Sequence, residues 1–569
     1  MNVKKQSSLG ALKERVLGRR PAEDILATGN ALRFAACMPE PLSFGSPHRG
    51  RLLLQGRLHI AGEERAIPDG NLWKLENLPG LVGEEILGFS WLDDLAAVRS
   101  PEAIGLAKTW VSDWITHSST ERNRTWRPEI AARRVMRLRH NEYILLAMAG
   151  PAFENQYFAS LATHAKILRN RLGDTPMGVA RIETLAGRVY AELARNGDRK
   201  AAIDVLRQIA NAADMIIEQG LGIESRNPQE LLIITESLQW CASLASLCGI
   251  AIEESFRNPI QKAVQILRVL RHADGSLARF HGAANPLPGR LDRALTASGH
   301  VRAAQRGLAM GFARLSAGQT TLISDVAPPQ SGKHSRLAHA GTLAFELTED
   351  GEPIVVNGGP GWLFGEDWHT RARQTGLHST VEVDNTSSSR MSAPVLPTAD
   401  RQEFILVCPD RVRVEQAPEI DDNTVIVSHN GYVPLFGLTH MRRIDMSTDG
   451  HRIWAEDTLW AENGENRRAF ESVLTVRNGF LPFTVRFHLH PDIHPRVASD
   501  NRQVYIETSR NAWLFEYDGE ADLALEMSQY FDEHQQQVRQ NQQITLHARI
   551  TRGRAAQLRW SFQRQNKQA

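Results

Sequence analysis

Two kinds of hydrophobic spacing divide the chain. From about residue 100 to 305 apolar residues recur every three or four positions. In the stretch that starts at Lys200, Ile203, Leu206, Ile209, Ala213, Ile216 and Ile217 share one helical face. Gly220 stands where a C-terminal cap is expected. Asn258-Pro259 supplies an N-cap and a first helical position for a helix carrying Ile260, Ala263, Val264, Leu267 and Leu270. The same spacing predicts helices near 101–117, 128–149, 153–172, 176–196, 229–248 and 291–315. Many helices joined by short loops fit an α/α toroid or solenoid better than a βαβ fold.

After about residue 320 the period shortens. VAPPQSGK reads as a linker. Short runs follow at Thr342–Leu347, Pro353–Val356, Thr380–Val383, Val412–Glu415, Thr424–Ser428 and Ile453–Trp460, separated by Gly, Pro, Asn and Asp. Short strands at close spacing predict an antiparallel β-sandwich. The Gln-rich tail still places Ile544, Leu546 and Ile550 at strand spacing, as in a last strand pair with a polar turn. The expected division is an all-α domain over 1–320 and a β-sandwich over 321–569.

Charge sharpens this picture only locally. The 569 residues carry 66 Lys+Arg against 65 Asp+Glu, which excludes a uniformly basic nucleic-acid binder and argues against disorder. Ten of the 66 are Lys, leaving 56 Arg. Arg presents a rigid fork that suits carboxylate and sulfate oxygens. The run Glu121–His140 holds seven Arg and two Glu, with Arg127, Arg134 and Arg137 on similar helix faces. It is a candidate lining for an anion groove. The four cysteines form no CxxC pair. The N-terminus has no apolar signal core, and no window reaches 18 uninterrupted apolar residues. These features point to the cytoplasm and to no transmembrane segment.

The candidate chemistry lies in a few segments. His339 precedes a strand in LAHAGTLAFEL. His369, Arg371, Arg373 and His378 fall within ten residues. Such a cluster suits removal of a proton next to a carboxylate: Arg offsets the anion and His moves the proton. His488 and His490 alternate on one strand face, a spacing open to metal binding, although Phe487 and Leu489 favour packing. Arg226 and Asn227 open a helix in SRNP, with Asn227 as N-cap. Walker, GxSxG and HExxH patterns are missing.

FSWLDDLAA, SRNP, HADGSLARFHGA, AHAGTLAFEL, VVNGG, LHSTVEV, SHNGY and RFHLHPDI occur in the order found in heparinase II/III-like proteins. On these segments the sequence resembles that family, most closely an alphaproteobacterial branch. The resemblance implies an incomplete (α/α) toroid followed by an antiparallel β-sandwich, with polysaccharide lyase chemistry. It implies β-elimination on a uronic-acid glycan such as heparin, heparan, alginate or a bacterial acidic polysaccharide. His339 matches the second His of the family's HxHxD motif; Leu337 and Gly341 stand at its other two positions. His378 matches the His of the family's HNT segment. The expected catalytic set is His339, His378, Arg373 and Tyr190. Arg226, Asn227, Arg371 and His369 are the expected substrate contacts, with Asn227 and Arg373 neutralising the carboxylate. No cofactor is required by this chemistry; a structural zinc would draw on His339, Asn357 and His378. The resemblance also raises the periplasm as an alternative compartment. The alternative function is a non-catalytic protein that binds an acidic glycan on the same scaffold. The division of labour expected is Arg from the toroid for carboxylates and His from the sandwich edge for protons.

Overall fold

In the computed structural model the described residues are 39–565, apart from 41, 61–62, 77–79, 118–125, 195–198, 219–221, 298–306, 333–334, 393–402 and 416–422. Gly220 and the first five residues of the Glu121–His140 run lie outside them. The chain divides into two compact units. The helical unit takes Met1–His59, Glu64–Met215 and Glu236–Pro259; the sandwich unit takes Ile60–Glu63, Ile216–Thr235 and Ile260–Ala569. The fold is the expected one: an incomplete (α/α) toroid followed by an antiparallel β-sandwich.

The helical period is realised as Pro101–His117, Pro128–His140, Pro151–Asn170, Val179–Leu193, Arg199–Ile216, Pro228–Leu247 and Glu254–Val269. Several start on proline because the first turn needs no amide donor there. Pro259 is an exception: its helix begins at Glu254, so Asn258-Pro259 is not the start that the sequence suggests. The helix expected over 291–315 ends at Thr296, and strands run from Gly307. Met310 (φ 52°) and Gly311 (φ 72°) supply the two left-handed residues of a tight hairpin between Ala309 and Phe312. The division expected at residue 320 therefore falls inside sheet structure, at the first residue of the strand Thr320–Asp325.

In the helical unit, arginines of the Pro128–His140 helix are spent internally rather than aimed outward. Arg127 pairs with Glu84 and Glu129, Arg133 with Glu183, Arg137 with Asp93, and Arg139 with Glu142. Arg134 is fully buried between Trp114 (4.4 Å to the ring centroid) and Trp126 (5.0 Å). Its Nε donates to His164 Nε2 at 2.9 Å, while the other ring nitrogen of His164 reaches the Ser160 carbonyl at 2.7 Å. Burial lowers the Arg134 pKa to about 9. The anion groove expected on this helix is not formed by these residues, because acidic and aromatic neighbours consume the charge. The FSWLDDLAA motif completes the packing: Asp93 accepts from Ser43 and Asn141, and Asp94 holds Arg49.

The sandwich unit pairs two antiparallel sheets. Among the described residues nine strands, including Thr320–Asp325, Phe345–Glu349, Glu352–Val356, Val381–Val383 and Phe480–Leu489, form one sheet. Eight, including Thr424–Tyr432, Leu438–Met446, Arg452–Trp460 and Ala556–Gln565, form the other. Phe345 stacks on Trp560 at 5.5 Å, and Phe487 meets Trp560 edge-on at 4.8 Å, so aromatic rings join the sheets. The tail forms Ala521–Asp532 and Gln537–Thr551, a long hairpin closed by a polar turn, followed by Ala556–Gln565.

Gly187 shows how closely the helices pack: a Cβ there would lie 2.5 Å from Ala132 Cβ and 2.6 Å from its Cα. Gly187→Ala should therefore destabilise the protein by about 1–3 kcal/mol, although alanine is the better helix former. Urea denaturation measures this; a variant as stable as the parent would refute the close approach.

Candidate functional site

The expected residues separate between the two units. Tyr190 lies in the helical unit, buried, with its hydroxyl 2.8 Å from His140 Nε2 and Trp240 beside the same imidazole. Burial raises its pKa well above the usual phenol value. It is packed in the core of the helical unit. Arg226, Asn227, His339, Asn357, His369, Arg371, Arg373 and His378 all lie in the sandwich unit.

His339 and His378 come together, with ring centroids 5.1 Å apart. They are 2% and 1% exposed. None of the ring nitrogens of His339, His369 and His378 has a well-formed hydrogen bond within the protein. Burial, then the neighbouring His281, pushes His378 down to about 3. Burial, then Arg373, does the same to His369. Burial and the adjacent His378 hold His339 well below the ordinary imidazole range. These rings are neutral in the folded protein at physiological pH.

Two residues that the sequence did not mark complete the cluster. His339 N–H donates to His281 Nδ1 at 3.2 Å, and His281 Nε2 faces Asp325 Oδ2 at 3.3 Å. Because His281 Nδ1 is an acceptor, the ring proton sits on Nε2, toward the carboxylate. Burial would raise the Asp325 carboxyl, but the Arg226 guanidinium and His281 more than offset it and leave it below the usual range. HADGSLARFHGA carried His281 in view as part of the family pattern. Nothing in the sequence around Asp325 distinguishes it from a strand-end turn residue.

The expected carboxylate contacts are engaged elsewhere. Arg226 donates to the carbonyls of Met310, Gly311, Ala327 and Pro328 and to Asp325. Its backbone is left-handed (φ 54°), and its guanidinium lies over Phe312 at 4.6 Å. Asn227 caps its helix by accepting from Glu230 N–H, as predicted, and its amide donates to the His281 carbonyl at 2.8 Å. Arg373 is fully buried and donates to the carbonyls of Ser335, Ala338 and Glu403, each at 2.9 Å. It holds the His339 loop against the His378 segment. Arg371 is exposed and lies 5.3 Å over Trp368. His488 donates or accepts at Ser528 (2.8 Å) within the fold, consistent with the packing reading.

The implied zinc does not fit. The Asn357 amide donates to Glu346 at 3.3 Å, and its oxygen accepts from Ser379 N–H at 2.9 Å. Gly341 occupies the position of the family's Asp, and a Cβ there would come within 3.2 Å of the His378 ring. Among the described residues no group of three or more His, Cys, Asp or Glu is arranged to hold a metal ion.

A second buried row lies in the sandwich core. His429 Nε2 meets His440 Nδ1 at 3.2 Å, and His440 Nε2 meets Asp457 Oδ1 at 2.8 Å. Arg442 donates to both Asp457 oxygens (2.8 and 2.9 Å) and to the carbonyls of Leu343 and Ser379 (2.9 and 2.8 Å).

These imidazoles titrate near pH 6.5 once unfolded and stay neutral when folded. Their depressed pKa values mean that the unfolded chain binds more protons below that pH. The stability they contribute is present above about pH 6.5 and is lost as pH falls. Each imidazole held neutral should remove about 1.4 kcal/mol per pH unit. Urea midpoints measured from neutral pH to about pH 5 check this; a flat profile would contradict it.

Residues 299–561 match the heparinase II/III-like C-terminal family. Over 547 residues the chain is 26% identical to FtsZ-localized protein C of Caulobacter vibrioides (strain NA1000 / CB15N), covering 93% of this chain and 92% of that protein. It is similar to a crystal structure of heparinase III, with TM-score 0.67 and 12% identity over 99% of this chain and 91% of that one. It is also similar to heparan sulfate lyase from Pedobacter heparinus, with TM-score 0.55 and 14% identity over 99% and 88% of the two chains. At such identities the structural likeness shows the fold alone. Among the described residues no helix is long and apolar enough to cross a membrane. Segment 299–561 thus matches the heparinase II/III-like C-terminal family, and the chain shares its fold with heparinase III.

Proposed function

We propose that this chain is a binding protein on a polysaccharide-lyase scaffold and does not carry out β-elimination. The observation that carries this reading is the commitment of Arg226, Arg373 and Asn227 to the chain's own carbonyls and carboxylate. A lyase needs such donors aimed at the uronate carboxylate, where charge develops in the transition state. Five of the seven tyrosines are engaged by the chain's own groups. In the sandwich unit, Tyr432 donates to the Val381 carbonyl, Tyr517 to Ala521, and Tyr530 lies under Arg279. Tyr157 and Tyr190 are buried in the helical unit with their own partners.

For the partner, similarity over most of the chain to a protein named for its localization with FtsZ favours an FtsZ assembly over a glycan. Purified protein should sediment with FtsZ polymers and release no unsaturated uronate from heparin, heparan, alginate or bacterial acidic polysaccharides. Failure to sediment would reject the partner. Turnover would reject the non-catalytic reading.

The paired, unbonded rings of His339 and His378 favour lyase activity as a second reading. It requires turnover that His339→Ala lowers by about 100-fold or more, the usual scale for a lost proton-transfer group.

A further inference from the structure

The SHNGY turn is built around a hydrogen-bond wire with no room for another proton. Gly431 N–H donates to His429 Nδ1 at 3.0 Å, so the ring proton of His429 sits on Nε2. That proton points at His440 Nδ1, which places the His440 proton on Nε2, toward Asp457. Asp457 is also taken by Arg442 and by Trp560 Nε1 (2.8 Å). An extra proton at His429 Nδ1 would oppose Gly431 N–H. One at His440 Nδ1 would oppose His429 Nε2–H.

The surroundings offer no compensating charge. His429 faces His440 and Arg442 from one neighbouring strand, Asp457 from the next, and Tyr432 from its own. Asp325 of the opposite sheet acts on it from farther away. Both carboxylates are already paired with arginine, Asp457 with Arg442 and Asp325 with Arg226. Gly431 also packs closely on the neighbouring backbone: a Cβ there would be 2.6 Å from the Ser388 carbonyl oxygen.

Both ends of the wire hold the segment that carries His378. Tyr432, which follows Gly431, donates its hydroxyl to the Val381 carbonyl at 2.6 Å. Arg442 donates to the Ser379 carbonyl. The strand register shifts between His429 and Tyr432, and the bond from Gly431 N–H to the imidazole lies within that irregularity.

We infer that the His429–Gly431 turn is an acid-sensitive latch: proton uptake at the His429–His440 pair breaks the turn and releases the Ser379–Val381 backbone beside His378. The latch belongs to the sandwich unit and does not depend on the partner proposed above.

Hydrogen exchange of the full chain, followed by mass spectrometry and corrected for intrinsic rates, tests it. Between neutral pH and about pH 5, peptides covering 378–383 and 429–432 should lose protection together. A peptide from the Ala512–Asp518 strand of the same unit serves as the reference for unfolding of the sandwich and should stay protected. His429→Asn keeps an acceptor for Gly431 N–H and takes up no proton. It should exchange at least tenfold more slowly than the parent in both segments at about pH 5. Tyr432→Phe should loosen 378–383 at neutral pH already, as the variant that cuts the tie directly. The latch is overturned if the parent's two segments keep their protection at low pH. It is equally overturned if they open only with the reference strand, or if His429→Asn, folded at neutral pH by near-UV circular dichroism, opens as the parent does.

Discussion

The ion pair between Arg442 and Asp457 is the constraint around which the sandwich is organised. Arg442 and Asp457 are direct cross-strand partners, and both are buried. A buried charge pair is tolerable only when its remaining hydrogen-bond capacity is satisfied. Here Arg442 spends its remaining donors on carbonyls of Leu343 and Ser379, in the segment that reaches the other sheet, and Asp457 accepts from His440 and Trp560. The pair thus ties the sheets at a fixed register, where purely apolar contacts would permit sliding. Removing one member would leave the other charged and buried, a loss of about 3–5 kcal/mol.

Arg226, Asp325 and His281 repeat the arrangement nearer to His339. Arginine neutralises a buried aspartate, and the aspartate fixes the proton on an imidazole. The imidazole's other nitrogen then anchors the His339 backbone. This guanidinium serves four carbonyls and a carboxylate of its own chain. Arg373 follows the same logic without a carboxylate, holding three carbonyls around the His339 loop.

His339, His369 and His378 share one physical condition: each ring is buried without a carboxylate bonded to it, and burial holds its pKa below the ordinary imidazole value. Order at the site therefore depends on where protons are excluded as much as on packing.

Hydrophobic spacing and capping chemistry determined the helical and strand halves, the N-cap at Asn227 and strands such as the one at Ile453–Trp460, because these follow from local period and local donors. The family segments marked His339 and His378, which the fold does bring together. Spacing could not place the start of the Glu254–Val269 helix or the hairpin at Met310-Gly311, where backbone geometry overrides an ambiguous apolar run. Nor could it show where charges end. An arginine reads the same whether it faces a ligand or five acceptors of its own chain, and Asp325 lies 99 residues from Arg226 in sequence. Tertiary structure decided those pairings, because the partners of a buried charge are set by which distant backbone groups need a donor.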